Sequence, residues 1–244
     1  MNSGYYAACA GFRARLENLD LAAHNLANVN TTGYRGQQPT FESILAASGS
    51  MPVNELNRAI NNFGVLSGSR TDLLSGSMER TGNPLDLAIE GNAFFAVQTP
   101  RGVLYTRNGN FRVSGTGQLV TGEGDPVLGE QGPISLPGGE VSISADGTLS
   151  SSGAVAGKLR LVDFPSATAL TAAGGSYYQA VDGKSQVAKG SYVRQGMLEG
   201  SNVNAVAAAV GLIALQRHAE MLQRALSAFN SDFNRIAAND LPRI

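Results

Sequence analysis

Tryptophan is missing from this 244-residue sequence, cysteine occurs once and histidine twice. With Cys9 alone, neither an intramolecular disulfide nor a cysteine zinc cluster can form. On its apolar helical stripe, Cys9 reads as a small buried hydrophobe. His24 and His218 lie far apart in sequence, with no carboxylate cluster to complete a metal site. Charge is also sparse: 15% of residues are charged, the net charge is -1, and no polybasic run occurs. That composition argues against nucleic acid or an anionic membrane as the main partner. Long apolar runs are lacking too. The most apolar stretch, Val203 to Leu215, contains Asn204 and falls short of the roughly 20 residues that cross a bilayer, so direct membrane insertion is not expected. No basic residue precedes Arg13 and no continuous apolar run follows Met1, so a cleaved signal peptide is not expected.

Catalytic patterns are absent as well. No serine has glycine two residues before and after it, so there is no nucleophile elbow. Gly153-Ala154-Val155-Ala156-Gly157-Lys158 is similar to a phosphate-binding loop. Only three residues separate its glycines, however, and Leu159 stands where Ser or Thr would hold magnesium, so it reads as a turn before a strand. Gly122-Glu123-Gly124-Asp125 reads as a solvated turn. No two acidic residues are paired for acid–base work. The expectation is a chain that is not an enzyme, with no cofactor and no metal.

What is present is patterning at both ends. Tyr5, Cys9, Phe12, Leu16, Leu19, Ala23 and Leu26 recur at alternating spacings of 4 and 3, a heptad seam that predicts a helix over 3–28. Asn30 and Gly33 tolerate positive φ and supply its stop. Near the C-terminus, Leu212, Leu215, Ala219, Leu222, Leu226, Phe229, Phe233 and Ile236 form a second seam within a helix predicted over 202–237. Val203, Val206, Val210 and Ile213 make another stripe, turned from the first by about 100°.

Between the ends, 30 glycines favour turn-rich β structure. Residues 34–84 read as a connecting segment. Phe41, Ile44 and Leu45 suggest a helical turn there, and the chain from Gly64 to Gly82 suggests extended or partly ordered structure. Residues 85–200 read as β, with hairpins expected at Asn108-Gly109, between Tyr105 and Phe111, and at Asp146-Gly147. The predicted class is α+β. The terminal helices (1–33 and 201–244) pair in coiled-coil fashion, and a large all-β sandwich or barrel-like domain (85–200) is inserted between them. One partner helix cannot cover both C-terminal stripes, and such leftover apolar surface marks an assembly interface. The candidate interface residues are Tyr5, Phe12, Leu16, Leu19, Leu26, Val203, Val206, Val210, Leu212, Leu215, Leu222, Leu226, Phe229 and Phe233. A self-contained monomer, with its β domain covering the extra stripe, is the competing reading.

The stretch Asn25-Leu26-Ala27-Asn28-Val29-Asn30-Thr31-Thr32-Gly33-Tyr34-Arg35 resembles the N-terminal signature of bacterial flagellar rod and hook proteins, with His24 in place of its first asparagine. The signature residues carried over are Asn25, Leu26, Ala27, Asn28, Thr32, Gly33 and Tyr34. Four further stretches resemble the family in the same order. They are Asn83 to Ile89, Tyr105 to Phe111, Gly117 to Val120 with Asp146 to Leu149, and Glu199 to Val203. The resemblance implies a structural subunit of the flagellar basal-body rod, a helical tube that transmits torque. It implies other rod proteins and further copies of itself as partners, and export by the flagellar type III apparatus without a cleaved signal. Pro126 to Ile134 and Met197 to Gly200 look more like the proximal-rod type. A distal-rod or hook-like subunit is the alternative, and a secreted cell-wall hydrolase a remote one. At the signature, Asn25 and Asn28 would satisfy backbone groups where the helix ends, Gly33 would allow a sharp exit, and Tyr34 would anchor the outgoing chain.

Overall fold

The computed structural model describes residues 2–41, 66–166, 169–181, 185–188 and 190–240. The chain divides into two compact units, one formed by Met1–Leu26, Gln38–Ser69 and Ala205–Ile244, the other by Ala27–Gln37 and Arg70–Asn204. The first unit holds both long helices, α1 (Asn2–Ala27) and α2 (Ala205–Asp240). Val203 therefore precedes α2 rather than lying on it. Phe41 closes a strand, Gln37–Phe41, that pairs with Leu66–Thr71, where the sequence had suggested a helical turn. Ile44 and Leu45 lie outside the described residues.

Among the described side chains of α1 the exposed ones are Arg13, Asp20, His24 and Ala27, joined by Arg15 and Leu16. Leu16, assigned to the seam, is 41% exposed, whereas Ala14, off the seam, is buried. Gly11, Asn18, Ala22 and Asn25 are half-buried beside Ala14. Their spacing of 7, 4 and 3 marks a second shielded face, one of small and amide side chains. Leu16 sits at the margin between this helix's solvated stripe and its seam. On α2 the shielded positions Leu212, Leu215, Ala219, Leu222 and Leu226 coincide with the seam, while Val206, Val210 and Ile213 are exposed. The side chains of Tyr5, Phe229 and Phe233 are outside the described set.

The strands that follow Thr71 in the described residues belong to the second unit. Its largest sheet has six strands in the order Leu170–Gly174, Tyr177–Ala180, Gly102–Thr106, Phe94–Thr99, Leu161–Asp163 and Gln186–Val187. The other strands form a three-stranded sheet (Val141–Ile143, Thr148–Ser151, Ala154–Lys158) and several two-stranded ribbons. The central strand explains the arrangement. Successive strand residues point to opposite faces. Phe95 and Val97 enter one buried cluster with Leu104, Phe111, Leu119 and Leu149. Phe94 and Ala96 enter another with Tyr105, Val162, Phe164 and Tyr178. The run Phe94-Phe95-Ala96-Val97 is apolar without alternation because both faces of its sheet are covered. Edge-on ring contacts tighten both clusters, with centroids at 5.0 Å for Phe95–Phe111 and 4.9 Å for Tyr105–Phe164; each is worth about 0.5–1.5 kcal/mol beyond its burial.

The hairpin at Asp146-Gly147 forms as expected. Ile143 pairs with Leu149, and Gly147 takes φ 85° in the three-residue loop. The Asn108-Gly109 hairpin does not. Gly102–Thr106 pairs with Phe94–Thr99 and Tyr177–Ala180, and Phe111–Val113 pairs onward with Leu119–Thr121. A tight Asn-Gly hairpin needs positive φ at both central residues, and neither Asn108 nor Gly109 has it. Asn108 Oδ1 instead accepts from the Asn110 amide, and Gly109 is present for proximity: a Cβ there would lie 1.6 Å from the Leu87 carbonyl oxygen. Ala154–Lys158, expected as a turn, is an edge strand.

Candidate functional site: a buried ion-pair joint

The family-like signature ends inside the β unit, and there the structure is most unusual. After α1, the Thr31 amide and hydroxyl both donate to Asn28, to its carbonyl and its Oδ1 respectively. Gly33 then takes φ 68°. Asn30 does not share this role; Ser152 is the only non-glycine with positive φ among the described residues. Any side chain at Gly33 would strike the backbone of Arg107 and Asn108, at 2.2 Å for the nearest atom. Glycine is thus required twice over at this position, for its φ and for its contact. Tyr34 is buried, and burial pushes its hydroxyl up to about 12.

Three charged side chains meet beyond it. Glu199 receives the Arg35 Nη2 at 2.6 Å on one oxygen and the Arg107 Nη1 at 3.1 Å on the other. All three are at most 1% exposed. The Gly76 amide donates to the same Glu199 oxygen as Arg35, at 3.0 Å. Arg107 also donates to the carbonyls of Ile89 and Gly91, and its guanidinium lies 4.9 Å from the centre of the Phe94 ring. Burial lowers the Arg107 pKa to about 10; Glu199 opposes that fall and the Arg35 charge adds to it. Two cations bond one carboxylate here, and among the described residues Arg35 Nε, Arg35 Nη1 and Arg107 Nε have no hydrogen-bond partner. Removing the carboxylate from such a group costs about 3–5 kcal/mol, because buried charges are left uncompensated.

Backbone bonds lace the same three segments together. The Gly33 amide donates to the Glu199 carbonyl at 2.7 Å, and the Asn202 amide to that of Tyr34. Asn202 Oδ1 accepts from Gly36, while its Nδ2 donates to the carbonyls of Asp72 and Leu74. Tyr178 closes the group by accepting from the Arg35 amide through its hydroxyl, whose pKa burial raises.

Of the signature residues, Gly33 and Tyr34 reach this joint. Asn25 and Thr32 are half-buried beside it in sequence, as are Leu26 and Asn28, and Ala27 is exposed. The candidate interface residues on α1 and α2 belong to the other unit. Arg35, Arg107 and Glu199 were not singled out from sequence, although each lies in a stretch that resembles the family. A signal existed: alternation that puts Tyr105 in the core puts Arg107, two residues on, on the same face.

Comparison with known proteins gives this arrangement its context. The family model described as flagellar hook protein FlgE/F/G D1 domain matches residues 88–151, which include Arg107. The one described as flagellar basal body rod FlgEFG protein C-terminal matches residues 194–239, which include Glu199 and most of α2. Flagellar basal-body rod protein FlgF of Escherichia coli (strain K12) is 35% identical over 258 residues, covering 99% of this chain and 98% of that protein. The chain belongs to the flagellar basal-body rod protein family. FlgF of Salmonella typhimurium is 33% identical with the same coverage. FlgG of Agrobacterium fabrum is 30% identical over 95% of this chain. Within the family the chain is FlgF-like, with FlgG close.

Proposed function

We propose that this chain is a structural subunit of the flagellar basal-body rod, of the proximal, FlgF-like type. It builds a helical tube with copies of itself and other rod proteins through α1 and α2, and the β unit forms its outer layer. The observation that carries this reading is the identity to FlgF proteins across nearly the whole chain. The exposed stripe Val206, Val210 and Ile213 supports it, since it offers apolar surface to neighbouring subunits. Ala205–Ala228 is long and apolar enough to cross a membrane by length and composition, a longer span than the stretch from Val203 to Leu215 had suggested. Its heptad seam, and an Arg224–Glu220 pair one turn apart, fit protein neighbours better than lipid. In this reading the joint holds the β unit to the two points where the chain enters and leaves it, and torque passes through that joint. Export proceeds through the flagellar type III apparatus, and the protein does no chemistry.

The test is complementation of cells lacking their own FlgF, followed by purification of basal bodies and cross-linking of this chain to its neighbours. Restored swimming, with the chain cross-linked to rod proteins, is the expected result. A chain that is absent from purified basal bodies would overturn the assignment. Cross-links confined to distal-rod or hook proteins would move it to the FlgG type.

A further inference from the structure

The β unit is held together in two different ways, and the boundary between them is sharp. Every buried residue of both apolar clusters lies between Leu87 and Val193. The flanks 27–37 and 197–204 contribute none, and the 70–80 segment adds only Leu73 at the margin of one cluster. What attaches these three segments is chiefly polar. Arg35 and Gly76 meet Glu199, Asn202 bridges Gly36, Asp72 and Leu74, and Met197–Glu199 pairs as a strand with Met78–Arg80. Gly76 is packed so closely that a Cβ would lie 2.1 Å from the Gly200 carbonyl oxygen, so the 70–80 segment forms a strap seated on the returning chain.

We propose that Glu199 is a latch. It releases the flanks and the strap as one cooperative piece while the apolar body between Leu87 and Val193 stays folded. Loss of a shared member of a buried polar network costs more than one pair, because every group it served is left unpaired in a low dielectric. Glu199 is the carboxylate that both Arg35 and Arg107 bond, so its departure leaves Arg35 favouring water over the interior, while Arg107 keeps the Ile89 and Gly91 carbonyls and the Phe94 ring. Opening hydrates Arg35 and Glu199 and uncovers Tyr34, Leu73 and the hydroxyl end of Tyr178, while the other cluster residues between Leu87 and Val193 keep their mutual contacts. The segments freed are the ones that lead in sequence to α1 and α2.

Hydrogen exchange on the full-length protein, in increasing urea below the unfolding transition, tests it. The amides of Gly33, Gly36, Gly76 and Gly200 report the latch; those of Gln98, Leu119 and Val127 report the body. The expected result is two openings, the latch set exchanging at lower free energy and with a smaller urea dependence. Glu199→Gln keeps the side-chain shape and removes the charge. It should speed exchange of the latch set on the order of a hundredfold and leave the body set unchanged. A single opening shared by both sets in the native protein would overturn the proposal. So would a Glu199→Gln chain in which both sets accelerate equally, neither changes, or no body amide is protected.

Discussion

The same residue types have opposite fates in the two units. Val97, Val127 and Val193 are buried in the β unit; Val206 and Val210 on α2 are 74% and 62% exposed. The β unit completes its apolar contacts from its own strands. The described part of α2 shields one seam and leaves the other apolar stripe open. Burial of a valine is worth about 1.5–3 kcal/mol, so exposed stripes of this kind are retained where something other than the subunit's own fold uses them. The β unit is finished as a structure, and under the proposed function the helices are finished by their neighbours.

Leu222→Asp and Leu19→Asp should break the comparison most severely. Each places a carboxylate on a shielded seam, where burial without a partner costs several kcal/mol or forces protonation. The expected outcome in cells is loss of swimming and of rod completion, with the thermal transition of the β unit unchanged. Normal swimming by both variants would remove the assembly role of the seams.

Phe95→Ala should do the reverse, lowering β-unit stability in a denaturant titration by about 3–5 kcal/mol. The variant empties a site in the larger cluster that the Phe111 ring shares. A loss below one-third of that would mean the cluster collapses around the gap.

Alkaline pH should weaken the β unit more gradually. Burial raises the hydroxyl pKa of Tyr34 to about 12 and raises those of Tyr177 and Tyr178 as well. Their contribution is complete below the unfolded value of about 10 and is lost as pH climbs from there through the folded values. Arg107 acts oppositely. Its folded pKa is depressed to about 10, so the unfolded chain binds the extra proton above that pH and this group's contribution rises. Three tyrosines against one arginine predict a net fall in the denaturant midpoint between about pH 9 and pH 11. An unchanged or rising midpoint would contradict the balance.

Val210→Ser should have the smallest effect on the isolated chain, within about 0.5 kcal/mol, as for most exposed positions. Weakened rod assembly by that variant would sharpen the contrast between the units, whereas unimpaired assembly would leave the open stripe without a use.

Periodicity made the helices legible. The heptads located α1 and α2 to within a few residues, because a repeat of 3 and 4 needs no tertiary information. Leu16 escaped because heptad spacing cannot tell a seam's centre from its margin when small residues such as Ala14 form a second face. At Asn108-Gly109 the dipeptide was read for its turn propensity, while its true constraint, contact with the Leu87 carbonyl, is long-range. Arg35, Arg107 and Glu199 stand far apart in sequence. No local pattern says that two cations share one anion, so the joint became visible only when the strands brought its three segments together.

Arg35 and Glu199 are 164 positions apart in sequence and meet at a single ion pair. The chain thus leaves and returns through one doorway, and everything between is a loop closed at its base. The entropy of closing such a loop grows only slowly with its length. Residues inserted or deleted at the outer turns of the β unit, such as Gly138-Gly139, therefore leave the doorway where it is.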